Sequence, residues 1–217
     1  MYTLYVVATP IGNLEDITLR AIKILLEVPV IVCEDTRRTG MLLKLLEEKY
    51  GKSQHRFISV RDWNEAAQVE RVLAELSQGD VALVSDAGTP LLSDPGYKLV
   101  RAAAEKGIKV VPIPGPFAGA AALSAAGLPT DKFMFWGFLK KGEIPELKPG
   151  ITYVFYESPE RVKQTVTLLK QHYPEAEAVA AVEMTKIHER FYRGSEMQEL
   201  TDGRIKGEIV LLVRNEA

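Results

Sequence analysis

Val81-Ala82-Leu83-Val84-Ser85-Asp86-Ala87-Gly88-Thr89-Pro90-Leu91-Leu92-Ser93-Asp94-Pro95-Gly96 is the stretch that decides the fold. Four apolar residues make a short buried strand. The chain then breaks into small residues, Gly, Pro and two Asp, and helical spacing resumes near Tyr97. In an open parallel sheet, ligands bind beyond the carboxyl ends of the strands. A loop of this composition brings backbone N–H and carbonyl groups close to a ligand. It is read as the floor of a binding site.

Working outward, Leu4 to Ala8, Val30 to Cys33, Phe57 to Val60 and Ile108 to Val111 read as further strands. Helical spacing lies between them: Ile17, Ala21, Ile24 and Leu25 after a cap at Asp16 or Asn13, then Met41 to Leu46, Ala66 to Leu76, and Pro95 to Lys106 with Gly107 as a stop. Five strands alternating with helices predict a parallel sheet covered on both faces. The loops after all five strands fall on one edge, as a shared cleft requires. Pro112-Ile113-Pro114-Gly115-Pro116-Phe117 places a boundary, giving domains 1–113 and 114–217. The second half reads as strands at Phe133 to Phe138, Thr152 to Tyr156, Ala178 to Val182, Arg190 to Arg193 and Glu208 to Val213, with a helix from Glu160 to His172. The expected class is α/β: two α/β domains, one with a five-stranded parallel sheet and one with a mixed sheet.

Composition excludes several classes. A net charge of −2 on 217 residues gives no global field for nucleic acid or anionic membrane, so a nucleic-acid site must be local. A single cysteine, Cys33, rules out an internal disulfide and a Cys-rich zinc site. The amino terminus lacks the pattern of a signal peptide, and no apolar run approaches the roughly 20 residues of a membrane span. A cytoplasmic protein without membrane association is expected.

The loop after the first strand has one glycine where a dinucleotide fingerprint needs three, and no Walker lysine follows. No G-x-S-x-G elbow occurs. His55, His172 and His188 are scattered without metal-ligand spacing and read as surface histidines. Glu34-Asp35-Thr36-Arg37 reads either as a helix cap with a surface ion pair or as an acid/base and substrate-binding group. Trp63, in Trp63-Asn64-Glu65, either caps the core or stacks on a flat substrate. Lys206-Gly207-Glu208 reads as a plain turn or as part of a site.

Thr9-Pro10-Ile11-Gly12-Asn13-Leu14, Glu34-Asp35-Thr36-Arg37, Ser85-Asp86-Ala87-Gly88-Thr89-Pro90, Asp94-Pro95-Gly96, Pro114-Gly115-Pro116, Ala125-Ala126-Gly127-Leu128-Pro129, Phe155-Tyr156-Glu157-Ser158 and Lys206-Gly207-Glu208 occur in order at suitable spacing. Together they resemble the ribosomal RNA small-subunit methyltransferase I family, within the tetrapyrrole (precorrin/corrin) methylase superfamily. The resemblance implies two α/β domains with S-adenosylmethionine in the cleft between them, a homodimer, and 2′-O-methylation of a cytidine in small-subunit ribosomal RNA. The cofactor positions it implies are Pro10, Gly12, Ser85, Asp86, Ala87, Gly88, Thr89, Pro114, Gly115, Phe117, Ala118 and Tyr156. The family's H-x-H-N-E is here Arg61-Asp62-Trp63-Asn64-Glu65, its F-Y-E-S-x-H-R has Glu160 before Arg161, and its A-R-E-[LM]-T-K has Val182 before Glu183. The basic stretch after G-F-L-P shrinks to Lys140-Lys141-Gly142-Glu143 with Lys148 beyond, and the chain stops just after Val213 without the family's carboxyl-terminal extension.

Methyl transfer to a ribose hydroxyl needs an oriented nucleophile and a proton acceptor. The candidates are Glu34, Asp35, Glu157, Glu183 and Lys186, with Arg37 and Asn64 positioning the substrate and Lys206 and Glu208 as second choices. The alternatives are a methylase of a small molecule such as a tetrapyrrole, or a catalytically silent cofactor-binding paralogue. No metal is expected.

Overall fold

The computed structural model describes residues 2–202 and 205–216. The chain divides into two units, Met1–Phe117 and Ala118–Ala217. Pro116 is held in the first unit by Thr89, whose Oγ1 donates to Pro116 O at 2.9 Å.

In the first unit, β1 (Thr3–Val7), β2 (Val30–Cys33), β3 (Arg56–Ser59), β4 (Val81–Leu83) and β5 (Lys109–Ile113) form one sheet in the order β3-β2-β4-β1-β5. Every pairing is parallel. Four helices cover it: α1 (Leu19–Glu27), α2 (Thr36–Tyr50), α3 (Glu65–Leu76) and α4 (Tyr97–Glu105). Side chains alternate between the faces with the period of two that a strand imposes. Leu4, Val30, Val32, Val81 and Leu83 pack with Val72, Leu76, Leu99 and Ala103 of α3 and α4. Val7, Ile31, Cys33 and Ala82 pack with Ala21, Leu25, Leu43 and Leu46 of α1 and α2. Burial on both faces explains why these strands are apolar throughout. Each fully buried Val or Leu stabilises the fold by about 1.5–3 kcal/mol. Helices α1 and α4 follow the adjacent strands β1 and β4 but lie on opposite faces. The carboxyl ends of β1 and β4 are therefore the topological switch point, where such sheets bind ligands.

Two helix starts differ from the sequence expectation. Asn13 caps a short 3₁₀ turn, Leu14–Asp16, and the cap of α1 is Thr18, whose Oγ1 accepts from Ala21 N–H at 3.1 Å. Helix α4 begins at Tyr97, after Gly96, which has no capping side chain. Its cap comes from Glu65.

The second unit contains α5 (Ala118–Ala126), β6 (Phe133–Phe138), β7 (Ile151–Glu157), α6 (Pro159–His172), β8 (Glu177–Val182), β9 (Arg190–Arg193), α7 (Glu199–Asp202) and β10 (Ile209–Asn215). The sheet order is β6-β7-β10-β8-β9, with β6–β7 parallel and the other pairs antiparallel. Central β10 is buried along its whole length. Helices α6 and α7 cover one face through Val162, Val166, Leu169 and Leu200, and the small side chains of α5 cover the other through Ala122, Leu123 and Ala126. Both units are α/β, the first sheet parallel and the second mixed, as the sequence predicts.

Candidate active site

The carboxyl edge of the first sheet gathers the loops after β1, β2, β3, β4 and β5. Thr9 and Gly88 exchange backbone hydrogen bonds across the switch point, at 2.8 and 3.1 Å. Ser85 Oγ donates to Ala87 O and Gly88 O, closing the β4 loop on itself. Asp86 ties this loop to β2: its Oδ1 accepts from Asp35 N–H at 3.0 Å, and Arg38 lies 3.6 Å from its other oxygen. Glycine permits the close approach. A Cβ on Gly115 would stand 2.9 Å from Ala8 Cβ, and one on Gly88 would stand 3.2 Å from Ile11 Cγ2. Gly12, Ala87, Pro114 and Gly115 are exposed, Pro10, Thr89 and Phe117 half-buried, and Ser85 and Gly88 buried.

Glu34, Asp35, Arg37 and Asn64 meet at the same edge. Asp35 is the N-cap of α2, its Oδ1 accepting from Arg37 N–H at 2.8 Å. That bond holds the Asp35 carboxyl below its ordinary range, so it is a poor proton acceptor. Glu34 behaves in the opposite way: burial, then the Asp86 and Asp62 carboxylates, raise its pKa against the pull of Arg61 and Arg38. Asp94 joins them from the β4 loop. Burial and the neighbouring Glu34 push the Asp94 carboxyl up to about 6, against the lowering effect of its bond to Ser85. The sequence reading did not number Asp94 among the site residues, although it lies in the opening stretch. Ser85 and Asp86, which act on it, share its loop, whereas Glu34 and Asp62 come from positions remote in sequence. Buried Cys33 is pushed up to about 11, chiefly by burial, and is not a nucleophile.

In the second unit the candidates separate. Tyr156, on the α5 face of β7, packs edge-on to Phe135 and Phe138, with ring centres 5.1 and 5.5 Å away. Ala118 opens α5. Glu157 is buried and spent on structure: Arg161 lies 2.9 Å from Oε1, Ser158 N–H donates to the same oxygen, and Thr165 donates to Oε2. Glu183 and Lys186 form a compact cluster with Gly207 and Glu208. Lys186 Nζ bridges Glu183 Oε1 at 2.8 Å and Glu208 Oε2 at 2.9 Å, and Glu208 N–H donates to Glu183 Oε1 at 2.9 Å. The Lys186 bond, then the Glu208 amide, lower the Glu183 pKa. Burial works against the charge on Lys186, yet its bonds to both carboxylates raise its pKa. Neither is poised to take a proton. Lys206, exposed, adjoins this cluster.

Among the described residues, four non-glycine positions have positive φ: Leu91 and Ser93 at 72° and 70°, and Glu183 and Thr185 at 51° and 64°. Such residues cost of order 1–3 kcal/mol each and collect at functional sites. Here they fall in the β4 loop and in the Glu183–Lys186 turn. A depression of 590 Å³ at the opposite, amino-terminal end of the first sheet, lined by Tyr2, Leu73, Leu76, Lys106 and Ile108 among others, gathers no comparable chemistry. Among the described residues, no group of three or more His, Cys, Asp or Glu side chains could hold a metal ion, and no helix is long and apolar enough to cross a membrane.

Residues 3–198 match the family model of tetrapyrrole (corrin/porphyrin) methylases. Three relatives named ribosomal RNA small subunit methyltransferase I align along nearly the whole chain. The protein of Hydrogenobaculum sp. (strain Y04AAS1) is 43% identical, covering 98% of this chain and 96% of its own length. Those of Escherichia coli O157:H7 and Thermotoga maritima are 45% and 41% identical, covering 97% and 98% of this chain and 77% and 98% of their own lengths. The same name thus covers relatives matched almost entirely and relatives with a substantial unmatched part. Among solved structures, uroporphyrin-III-C-methyltransferase from Thermus thermophilus shares the fold at a TM-score of 0.67 and 19% identity, covering 100% of this chain and 95% of its own. Diphthine synthase does so at 0.72 and 14%, covering 98% and 90%. At these identities the solved structures speak to the fold alone. The full-length likeness to the named relatives goes further: the chain is a methyltransferase of the tetrapyrrole methylase family and belongs, within it, to the ribosomal RNA small subunit methyltransferase I family.

Proposed function

We propose that the chain transfers the methyl group of S-adenosylmethionine to the ribose 2′-hydroxyl of a cytidine in small-subunit ribosomal RNA, as a cytoplasmic homodimer. The observation that carries the reading is the 41–45% identity, over 97–98% of the chain, to relatives that all bear that one name.

The loops at the carboxyl edge of the first sheet suit this donor. Ser85 to Gly96, Thr9 to Glu15 and Pro112 to Gly119 contain no Lys, Arg or His. A phosphate would find no counter-charge in them. A cationic sulfonium would find Glu34, Asp86 and Asp94 nearby, an attraction that partial burial strengthens. Exposed backbone at Gly12, Ala87 and Gly115 offers hydrogen bonds to a neutral adenosine and a methionine moiety. Pro10, Gly12, Ser85 to Thr89, and Pro114 to Phe117 would hold the donor.

When bound, the donor supplies an electrophilic methyl carbon on sulfur. The chain must orient the hydroxyl and accept its proton. Of the candidates, Asp35 is committed to a helix cap, Glu157 to Arg161, and Glu183 to Lys186. Proton acceptance is assigned to the Glu34–Asp94 carboxylate group: burial raises both pKa values, and Asp94, at about 6, suits a base working near neutral pH. Arg37 positions the acceptor, and Asn64, whose side chain is bonded to Arg61 N–H and Ser59 O, acts through the turn it holds.

The deciding experiment is transfer of label from methyl-labelled S-adenosylmethionine to small ribosomal subunits from cells that lack this methyltransferase, with the modified nucleotide mapped. Label on a cytidine ribose supports the reading. Donor binding without transfer to subunits or free RNA sinks it, and transfer to a tetrapyrrole replaces it.

A further inference from the structure

The indole of Trp63 is 80% exposed, so it does not cap the core. It is nonetheless held on a stiff turn. Asn64 Oδ1 accepts from Arg61 N–H at 2.7 Å, and its Nδ2 donates to Ser59 O at 3.3 Å. Asn64 N–H and Glu65 N–H both donate to Arg61 O, at 3.0 and 2.8 Å. Immediately beyond, Glu65 is buried and anchored to the start of α4. The residues on both sides are thus fixed, and the turn presents a large aromatic surface to solvent at the edge that carries the Glu34–Asp94 group. Arg61 stands beside it, its Nε donating to Glu34 O at 3.4 Å.

The other tryptophan behaves differently. Trp136 lies 6.5 Å from the rings of both Tyr153 and Phe155, on its own sheet. Among the described residues, no aromatic contact of this kind involves Trp63.

We infer that Trp63 is a stacking platform for an unpaired base of the acceptor RNA, next to the ribose to be methylated. The inference rests on the reading of the acceptor as RNA. With a net charge of −2 the chain offers RNA no global field, and the exposed arginines at this edge, Arg37, Arg38 and Arg61, stand among carboxylates. Stacking on an aromatic face needs no counter-charge and serves any base. A rigid indole also sacrifices little conformational entropy on binding. Trp63 acts as a positioning residue: it fixes the nucleotide, and the carboxylates act on the hydroxyl.

The test compares wild type with Trp63→Ala and Trp63→Phe, using small ribosomal subunits that lack the modification. The Ala variant is expected to raise KM for subunits about tenfold or more, with kcat changed less than about twofold. Phe should restore most of the loss. The ratio of Ala to wild-type KM should hold across salt concentrations, because stacking releases no counterions; Arg61→Ala should instead alter the salt slope. Donor affinity, measured by calorimetry, should be unchanged in all variants. If wild type methylates subunits and Trp63→Ala does so with the same KM, the platform is overturned while the function stands. If wild type transfers nothing to subunits or free RNA, the reading of the acceptor fails and the platform fails with it.

Discussion

The carboxylate of Glu183 occupies the space where a side chain on Gly207 would begin. From there it accepts the amide of Glu208 and the ammonium of Lys186. Two loops separated in sequence are therefore locked by one glycine. Gly207 has a φ of +87°, which adds a backbone cost to any replacement. Gly207→Ala must displace Glu183 and break both bonds, and a loss of about 1–3 kcal/mol is expected. Thermal unfolding measures it. Glu183→Ala should remove most of the clash, so the double variant should be no less stable than Glu183→Ala by more than the backbone cost of about 1 kcal/mol. A double variant falling well below that would show that the carboxylate is not the obstacle.

Glu65 makes a second long-range lock. It is 6% exposed, and its Oε1 accepts from the amides of Gly96, Lys98 and Leu99, the last two in the first turn of α4. A carboxylate at a helix amino terminus satisfies orphan donors and favours the dipole. Glu65→Ala is expected to cost about 2–4 kcal/mol, because several amides lose their partner out of water. Glu65→Gln keeps an acceptor and should cost about 1 kcal/mol. The denaturant midpoint at constant slope reports both. An Ala variant within 0.5 kcal/mol of wild type, roughly the scale of a neutral surface change, would show that water replaces the carboxylate.

These two locks mark what the sequence could and could not reveal. The strands were legible because burial on both faces leaves Val81-Ala82-Leu83 and Val30-Ile31-Val32-Cys33 wholly apolar. The loops were legible because Gly and Pro interrupt them at strand ends. Helix caps supplied locally are visible in a sequence, although Thr18 rather than Asp16 or Asn13 caps α1. The cap of α4 comes from 31 residues upstream and carries no local signal. The same holds for the carboxylates. Nothing near Asp94 in sequence announces that Glu34 and Asp62 act on it. Glu157 and Glu183 looked like free acids because Arg161 and Lys186 are recognisable as their partners only once the backbone is placed.

Asp94 should leave a signature in the pH dependence of stability. Its folded pKa of about 6 lies above the ordinary 3.8. Between these values the folded chain keeps a proton that the unfolded chain has lost. Stability from this group is thus fully present below about pH 4 and is lost as pH rises through 6. Asp94→Asn removes the dependence, so relative to wild type the variant should gain stability as pH is raised from 4 to 7, by a thermal-unfolding series. Carboxylates with lowered pKa values, Glu47 and Glu183 among them, act in the opposite direction at acid pH. They cancel in the difference between the two proteins. A flat difference would mean that Asp94 is already ionised at pH 5. The variant should also lose the acidic limb of the rate profile with small ribosomal subunits as substrate.

Gly115 and Ala8 test where the donor sits. A Cβ at Gly115 would come 2.9 Å from Ala8 Cβ, closer than two such atoms tolerate. Ala8 N–H is bonded to Ile113 O at 3.2 Å, so the two segments cannot separate freely. Gly115→Ala must therefore shift the β5 loop by some tenths of an ångström, at about 1 kcal/mol of stability. If backbone groups of this loop hold the donor, affinity for S-adenosylhomocysteine should fall about tenfold, close to 1.4 kcal/mol. Ala8→Gly clears the obstructing atom and should restore affinity in the double variant, giving a coupling of about 1 kcal/mol in the cycle. Calorimetric titration measures all four proteins without any reaction taking place. Unchanged affinity in Gly115→Ala would move the donor away from this edge. A fall that Ala8→Gly does not repair would instead place the damage in Gly115's own backbone, whose conformation the methyl group had altered.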